Sequence, residues 1–121
     1  MVQEYFTDRE LECPCCGEHK FSVATRERLN RLRELVGPII VNSAYRCSIY
    51  NGAKGYTQTH ASGQAMDIKC SHKQAFLILE HAPSLGFTGI GVKQKGNTRF
   101  IHLDDLEEEL PKRPRPHIWS Y

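Results

Sequence analysis

Hydrophobic residues recur along the chain with two different spacings, which predict helices in some segments and strands in others. Leucine and valine recur at helical spacing over 23–36, between a possible capping residue, Ser22, and the helix breaker Gly37. A second helix is expected over about 72–82, with Ser71 as its cap. The positions predicted to form its buried stripe are Ala75, Phe76, Leu79 and Ala82.

Four other segments have the composition or alternation of strands. Residues 39–45 begin with apolar β-branched residues and predict a buried strand, while 64–70 alternates and predicts a second one. Residues 89–93 and 98–105 flank a QKGN turn and predict a hairpin. The order of these elements indicates an α+β fold, with a mainly antiparallel sheet and helices packed on one side.

The last segment, 110–121, contains three of the six prolines. Proline lacks the backbone N–H and fixes φ, so this tail is expected to have no regular structure and to lie extended over the body of the protein. With a cysteine-rich segment over 1–21 at the other end, the 121 residues are expected to form a single domain.

Composition narrows the possible function classes. The net charge of +2 is small for a protein that binds nucleic acid through its phosphates, so a small nucleic-acid-binding protein is disfavoured. No segment approaches the roughly 20 apolar residues of a membrane span, and the N-terminus does not resemble a secretory signal. We therefore expect synthesis in a cytoplasm and no membrane partner. An odd number of cysteines, five, argues against a disulfide framework.

Three residues are candidates for one metal site: His60, Asp67 and His102. Neighbouring strands lie about 4.8 Å apart, so side chains on one face of adjacent strands can converge on a single ion. Two imidazoles and one carboxylate suit catalytic zinc, which keeps a fourth position for water. The alternative is that both histidines are structural or surface residues, although an aspartate inside a strand is uncommon.

The N-terminal cysteine cluster allows a second metal hypothesis. Cys13, Cys15, Cys16 and His19 could form half of a zinc knuckle, but the second pair of ligands that such a site requires is not evident. Buried free thiols are the other interpretation.

Three segments, and in addition the tail, resemble the D-alanyl-D-alanine carboxypeptidase-type zinc peptidases. HASGQAMD (60–67) is similar to the HxxGxAxD motif of this family, and FIHLD (100–104) to the segment that supplies its third metal ligand. VNSAYRC (41–47) resembles an upstream SGYR segment, and RPRPHIWSY (113–121) the closing segment of phage-encoded members. The resemblance extends over roughly residues 5–121 and implies the fold of these peptidases.

The resemblance implies His60, Asp67 and His102 as zinc ligands and Arg46 as a residue that positions the substrate. A guanidinium suits a peptide carbonyl or a terminal carboxylate. The chain departs from the family at Gln58, where a serine is usual, and at the general base. Members often have an acid three residues before the last histidine or a histidine two before it, and here those positions are Arg99 and Phe100.

Asp104 could compensate for the missing base. It follows His102 by two residues and therefore projects from the same face of the strand. It could accept the proton of a zinc-bound water, or it could orient His102, and the sequence leaves both roles open. Asp105 alternates to the other face and is the weaker candidate.

The resulting expectation is a monomeric zinc metallopeptidase that hydrolyses amide bonds in the peptide stems or cross-bridges of peptidoglycan. Its similarity to phage members favours a phage or prophage enzyme, acting on the cell wall after release or as a component of the virion. The alternative function is a non-catalytic zinc-binding module of the same fold that binds a peptide or wall ligand.

Overall fold

A five-stranded sheet forms the centre of the computed structural model, which describes residues 4–12, 21–44 and 63–121. The strands are β1 (Ile40–Ser43), β2 (Ala65–Lys69), β3 (Gly89–Lys93), β4 (Phe100–Asp104) and β5 (His117–Ser120). Their order across the sheet is β1-β2-β4-β3-β5, and every pair is antiparallel except β3 and β5, which are parallel. The predicted α+β class with a mainly antiparallel sheet is confirmed.

Within the described residues three α-helices accompany the sheet: α1 (Asp8–Leu11), α2 (Val23–Val36) and α3 (His72–His81). The prediction for α2 is confirmed in both bounds, because the Ser22 hydroxyl accepts a hydrogen bond from the Thr25 N–H and the chain leaves the helix at Gly37, where φ is +88°. In the described ranges no helix is long and apolar enough to cross a bilayer.

The core lies between the helices and one face of the sheet. Leucines of α2 and Ile78 of α3 pack there against alternate residues of the central strands. The largest fully buried apolar side chains are Leu11, Leu29, Leu32, Met66, Ile68, Ile78, Ile101 and Leu103. Cys70 belongs to the same core as a free thiol, and burial raises its pKa to about 11. The opposite face of the sheet is thereby left for polar chemistry.

Two predictions of burial are wrong. Phe76 was expected in the buried stripe of α3, but its side chain is 69% exposed, and Ile78 is buried instead. Strand β1 was expected to be buried, yet Ile40 is 59% exposed. Because β1 is an edge strand of four residues, only part of its surface meets the helices.

The prediction that the proline-rich tail contains no regular structure is also wrong. Residues 117–120 follow the last proline and form β5, which pairs with β3 from Gly89 opposite His117 to Val92 opposite Ser120. Proline cannot donate to a ladder, but none of the prolines lies inside this strand. The tail therefore completes the sheet at the edge of β3.

Candidate metal centre

The strand register brings polar residues from distant parts of the chain into one row on the face away from the helices. Asp67 of β2 lies opposite His102 of β4, which lies opposite Gly91 of β3, which lies opposite Trp119 of β5. Because residues directly opposite share a face, this row places Asp67 and Trp119 on either side of His102.

The imidazole of His102 is held at both of its nitrogens. Its Nδ1 lies 3.1 Å from Oδ1 of Asp67, and its Nε2 lies 2.8 Å from Oδ2 of Asp104. Only 3% of His102 is exposed, so these contacts fix the ring in a largely dry environment. The nitrogen that faces Asp67 is the one available to a metal ion shared with that carboxylate.

Asp104 is a fully buried carboxylate whose charge is matched by an arginine of the tail. Arg115 donates to it twice, from Nε to Oδ1 at 2.9 Å and from Nη2 to Oδ2 at 2.8 Å. The Leu106 N–H also approaches Oδ1, at 3.4 Å. Such a bidentate pair fixes geometry as well as charge.

Burial and neighbouring charges shift the pKa values of His102 and Asp104 in opposite directions, and the neighbouring charges and hydrogen bonds prevail. Burial alone would lower the pKa of His102, but hydrogen bonds to Asp104 and Asp67 and the charges of these carboxylates raise it overall. Burial would likewise raise the pKa of Asp104, but His102 and Arg115 together lower it. Both directions favour a charged pair, in which an ionised Asp104 can only accept a hydrogen bond from His102.

The pair formed by Asp67 and His102 fits a zinc ion. Ligands at 2.0–2.1 Å in tetrahedral geometry lie about 3.3 Å apart, close to the 3.1 Å between Nδ1 of His102 and Oδ1 of Asp67. A metal-bound imidazole donates its other N–H to a carboxylate or carbonyl, as Nε2 does here to Asp104. The donor set, one imidazole and one carboxylate, is also of the type that zinc accepts.

The third predicted ligand, His60, lies outside the described residues, as does the predicted substrate residue Arg46. Within the described ranges, no group of three histidine, cysteine or acidic side chains is placed to hold a metal ion. The assignment of His60, Asp67 and His102 as a zinc site thus stays a prediction, with two of its three residues adjacent. Cys13, Cys15, Cys16 and His19 also lie outside the described residues.

Two glycines allow this arrangement because their neighbours occupy the space of a side chain. A Cβ on Gly89 would overlap the carboxylate of Asp104, and one on Gly91 would lie 2.5 Å from Nε1 of Trp119. The indole ring in turn lies 5.2 Å from the ring of His102 and 5.6 Å from that of His117. Trp119 therefore forms an aromatic wall beside His102.

Sequence reasoning missed Arg115 and Trp119 as parts of this centre. Both belong to the tail that was expected to lack regular structure. The available signal was the pair Ile118 and Trp119 after the last proline, since β-branched and aromatic residues are enriched in strands. No spacing rule, however, relates an arginine between two prolines to a carboxylate eleven residues earlier.

A second row on the same face is positively charged. Phe100 lies opposite Lys69 on one side and Lys93 on the other, two residues along β4 from His102. The Lys93 ammonium is 6.0 Å from the centre of the Phe100 ring. The centres of the Phe100 and Tyr121 rings are 5.0 Å apart. Lys69 and Arg99 also line an adjoining depression of about 480 Å³. This cationic and aromatic row suits an anionic ligand.

Comparison with known families identifies a match to the family described as Peptidase M15 over residues 4–104. The match includes Asp67, His102 and Asp104 and ends before the tail. No curated protein matches the chain.

Proposed function

The chain belongs to the peptidase M15 family, and from this premise we propose that it is a zinc-dependent peptidase that hydrolyses amide bonds in peptidoglycan stem peptides or cross-bridges. Family membership implies peptidase activity, and M15 members are generally zinc peptidases. The observation that carries the proposal is the position of His102, with Nδ1 3.1 Å from Asp67 and Nε2 bonded to Asp104.

In this proposal Asp67 and His102 hold the zinc ion together with His60. Bound zinc would supply Lewis acidity, which polarises a carbonyl oxygen and makes water a nucleophile near neutral pH. Arg46 would donate hydrogen bonds to a peptide carbonyl or a terminal carboxylate of the substrate. Trp119 would exclude water from one side of the centre, because its indole lies against His102.

Of the two roles open to Asp104, orientation of His102 has the better support. A general base must reach the proton it accepts and must be free to take it. The Asp104 carboxylate is fully buried, is bonded to Nε2 rather than directed to the Nδ1 side, and is held by two bonds from Arg115. We infer that it fixes the imidazole so that Nδ1 faces the metal.

The cationic row supports an acidic peptide as substrate. Stem peptides of peptidoglycan carry free carboxylates. Lys69 and Lys93 lie one on each side of Phe100, on the face of the sheet that carries Asp67 and His102, called the metal face. A carboxylate near these ammonium groups would place a neighbouring amide bond next to the row of His102. Charge complementarity of this kind favours the orientation of a substrate as much as its affinity.

The biological setting belongs to the same proposal. The tail's similarity to phage-encoded peptidases supports a phage or prophage enzyme, made in the host cytoplasm and acting on the wall after release or from the virion. We propose that it acts as a monomer on the peptide, without a nucleic-acid or membrane partner.

Digestion of purified peptidoglycan tests the proposal. The zinc-loaded protein should release peptides whose masses identify the cleaved bond, a chelator should stop the release, and added zinc should restore it. A His102→Ala variant should be inactive even with zinc, whereas His81→Ala, which alters a histidine on α3, should retain activity. Failure of the wild-type protein to bind zinc would contradict the proposal.

One observation favours the non-catalytic alternative, a zinc-binding module that binds a peptide or wall ligand. Asp104 is committed to His102 and Arg115, so it does not replace the acid that the family usually places before the last histidine. If the alternative holds, the protein will bind zinc and peptidoglycan but release no peptide from it.

A further inference from the structure

We propose that Arg115 is a positioning residue of the metal centre, which acts on His102 through Asp104. The inference rests on the zinc site proposed above. It extends that site to a segment beyond the family match, which ends at residue 104.

His102, Asp104 and Arg115 are all buried. The exposed side-chain fractions are 3% for His102, 0% for Asp104 and 6% for Arg115. An ionised carboxylate is strongly disfavoured in such surroundings unless a charged partner and hydrogen bonds compensate for its lost hydration. Arg115 supplies both, with one donor to each carboxylate oxygen.

The charge on Asp104 determines the direction of its hydrogen bond with His102. An ionised carboxylate can only accept, so the proton between the two groups belongs to Nε2 of His102. A neutral imidazole with its proton on Nε2 has its lone pair on Nδ1, which faces Asp67. Without the guanidinium the Asp104 carboxylate loses the two donors that hold it against Nε2. Asp67, whose Oδ1 lies 3.1 Å from Nδ1, then competes as acceptor of the single imidazole proton, and the lone pair would face away from the metal side when Asp67 accepts it.

The tail itself holds the Arg115 side chain in place. Beyond this residue the chain continues into β5, and its guanidinium carbon lies 5.3 Å from the centre of the Trp119 ring. Arg115 also donates from Nη1 to the Pro114 carbonyl oxygen at 2.7 Å. The guanidinium is thus fixed at three sides by residues of the chain itself, as preorganisation of a ligand requires.

Zinc affinity and the tautomer of His102 test this role without reliance on turnover. Arg115→Met should weaken zinc binding by roughly 10–100-fold, the usual effect of losing an outer hydrogen-bonding partner of a ligand. Long-range nitrogen–proton NMR of metal-free protein, at a pH where His102 is neutral, should show the proton on Nε2 in the wild type and partly on Nδ1 in the variant.

Two matched variants serve as controls. Arg113→Met removes a more exposed arginine from the same tail, one that pairs with Glu109, and should change neither zinc affinity nor tautomer. Arg115→Lys keeps the charge but not the two-pronged geometry, and should recover part of the lost affinity.

A double-mutant cycle keeps the test valid if Arg115→Met folds poorly with an unmatched carboxylate. In Asp104→Asn protein the charge is absent, so adding Arg115→Met should weaken zinc binding by no more than about twofold. The proposal would be overturned if the losses of zinc affinity from Asp104→Asn and Arg115→Met were fully additive. It would also be overturned if a folded Arg115→Met protein kept the wild-type zinc affinity and the proton on Nε2 of His102. A wild-type protein that binds no zinc but keeps the Nε2 proton would contradict the proposed function and leave the relay from Arg115 supported.

Discussion

Asp104 and Asp105 are neighbours in sequence, both are buried and both pair with an arginine, yet they serve opposite faces of the sheet. Asp104 accepts from His102 and Arg115 on the metal face. Asp105 accepts from the Thr25 hydroxyl at 2.8 Å and from Arg28 at 2.6 Å, and both of these donors belong to α2. The same chemistry thus holds a proposed metal ligand, His102, at one position and fastens a helix to the sheet at the next.

The difference between the two carboxylates lies in what their partners touch. The partners of Asp104 continue to the proposed metal ligand and to Trp119. Those of Asp105 are Thr25, Arg28 and Gln64, and Arg28 continues to the Leu85 carbonyl oxygen beside the helix layer. A buried ion pair is therefore not informative about function until the contacts of both its members are followed.

The largest effect that separates the two faces is expected for Asp104→Asn. An amide in place of the carboxylate weakens the bond to Nε2 of His102 and leaves Arg115 without its countercharge, so zinc affinity should fall by roughly 10–100-fold. Competition with a chromophoric chelator measures this constant. An unchanged constant in folded protein would show that the two faces do not differ as described.

A smaller effect, of a different kind, is expected for Asp105→Ala. It leaves the Thr25 hydroxyl without its acceptor and breaks the pair with Arg28, whose side chain is 38% exposed. We expect a loss of roughly 2 kcal/mol in the free energy of unfolding, because one buried donor loses its partner and the arginine regains water. Urea denaturation of the metal-free protein measures this loss.

Zinc affinity of the same Asp105→Ala protein shows whether this substitution affects the proposed metal site as well as stability. Measured well below its unfolding midpoint, that affinity should stay within about twofold of wild type. A loss as large as that of Asp104→Asn would mean that the helix layer also controls the metal face.

Gly91→Ala should perturb the metal face with a still smaller cost. Its Cβ would lie 2.5 Å from Nε1 of Trp119, so the indole must shift, at a cost of about 1–2 kcal/mol. Trp119 is the single tryptophan of the chain, and its fluorescence should change in wavelength or intensity. Ser120→Ala, which alters an exposed residue on the other face of β5, should leave the emission unchanged.

The smallest perturbation is a labelling test on the unmutated protein, which uses the thiol of Cys70 in the core between the helices and the sheet. Burial raises the pKa of this thiol from 9.0 to about 11, so its thiolate fraction near pH 7.5 is about 100-fold lower than that of an ordinary thiol. Alkylation should be slow at neutral pH and should accelerate as pH rises towards 11. Peptide mapping by mass spectrometry follows this site separately from the other cysteines. Rapid labelling of Cys70 at neutral pH would mean that the helix side is open.

Periodicity predicted the elements that form the frame of the site. The alternation over 64–70 and the hairpin over 89–105 correspond to β2, β3 and β4, and adjacency of strands correctly suggested that Asp67 and His102 could meet. These elements were predictable because each depends on local pattern and short connections.

The contribution of the tail was not predictable from pattern. The prolines argued against regular structure, and β5 pairs in parallel with a strand more than twenty residues earlier. Such a pairing depends on long-range register, which sequence spacing does not encode. Exposure of Phe76 was missed for a similar reason, since helical spacing alone does not say which side of α3 meets the sheet.

The pairing of β5 with β3 also bears on where the chain can be cut. A fragment ending at Asp104 would retain the matched family segment, but the backbone groups of Gly89–Val92 that now pair with β5 would become an open edge, a template for association between copies. The same cut would remove Arg115 and leave the buried Asp104 carboxylate without its counter-charge. Residues 115–121 are thus as much a part of the folding unit as the motif residues, and any affinity tag is better placed at the other end.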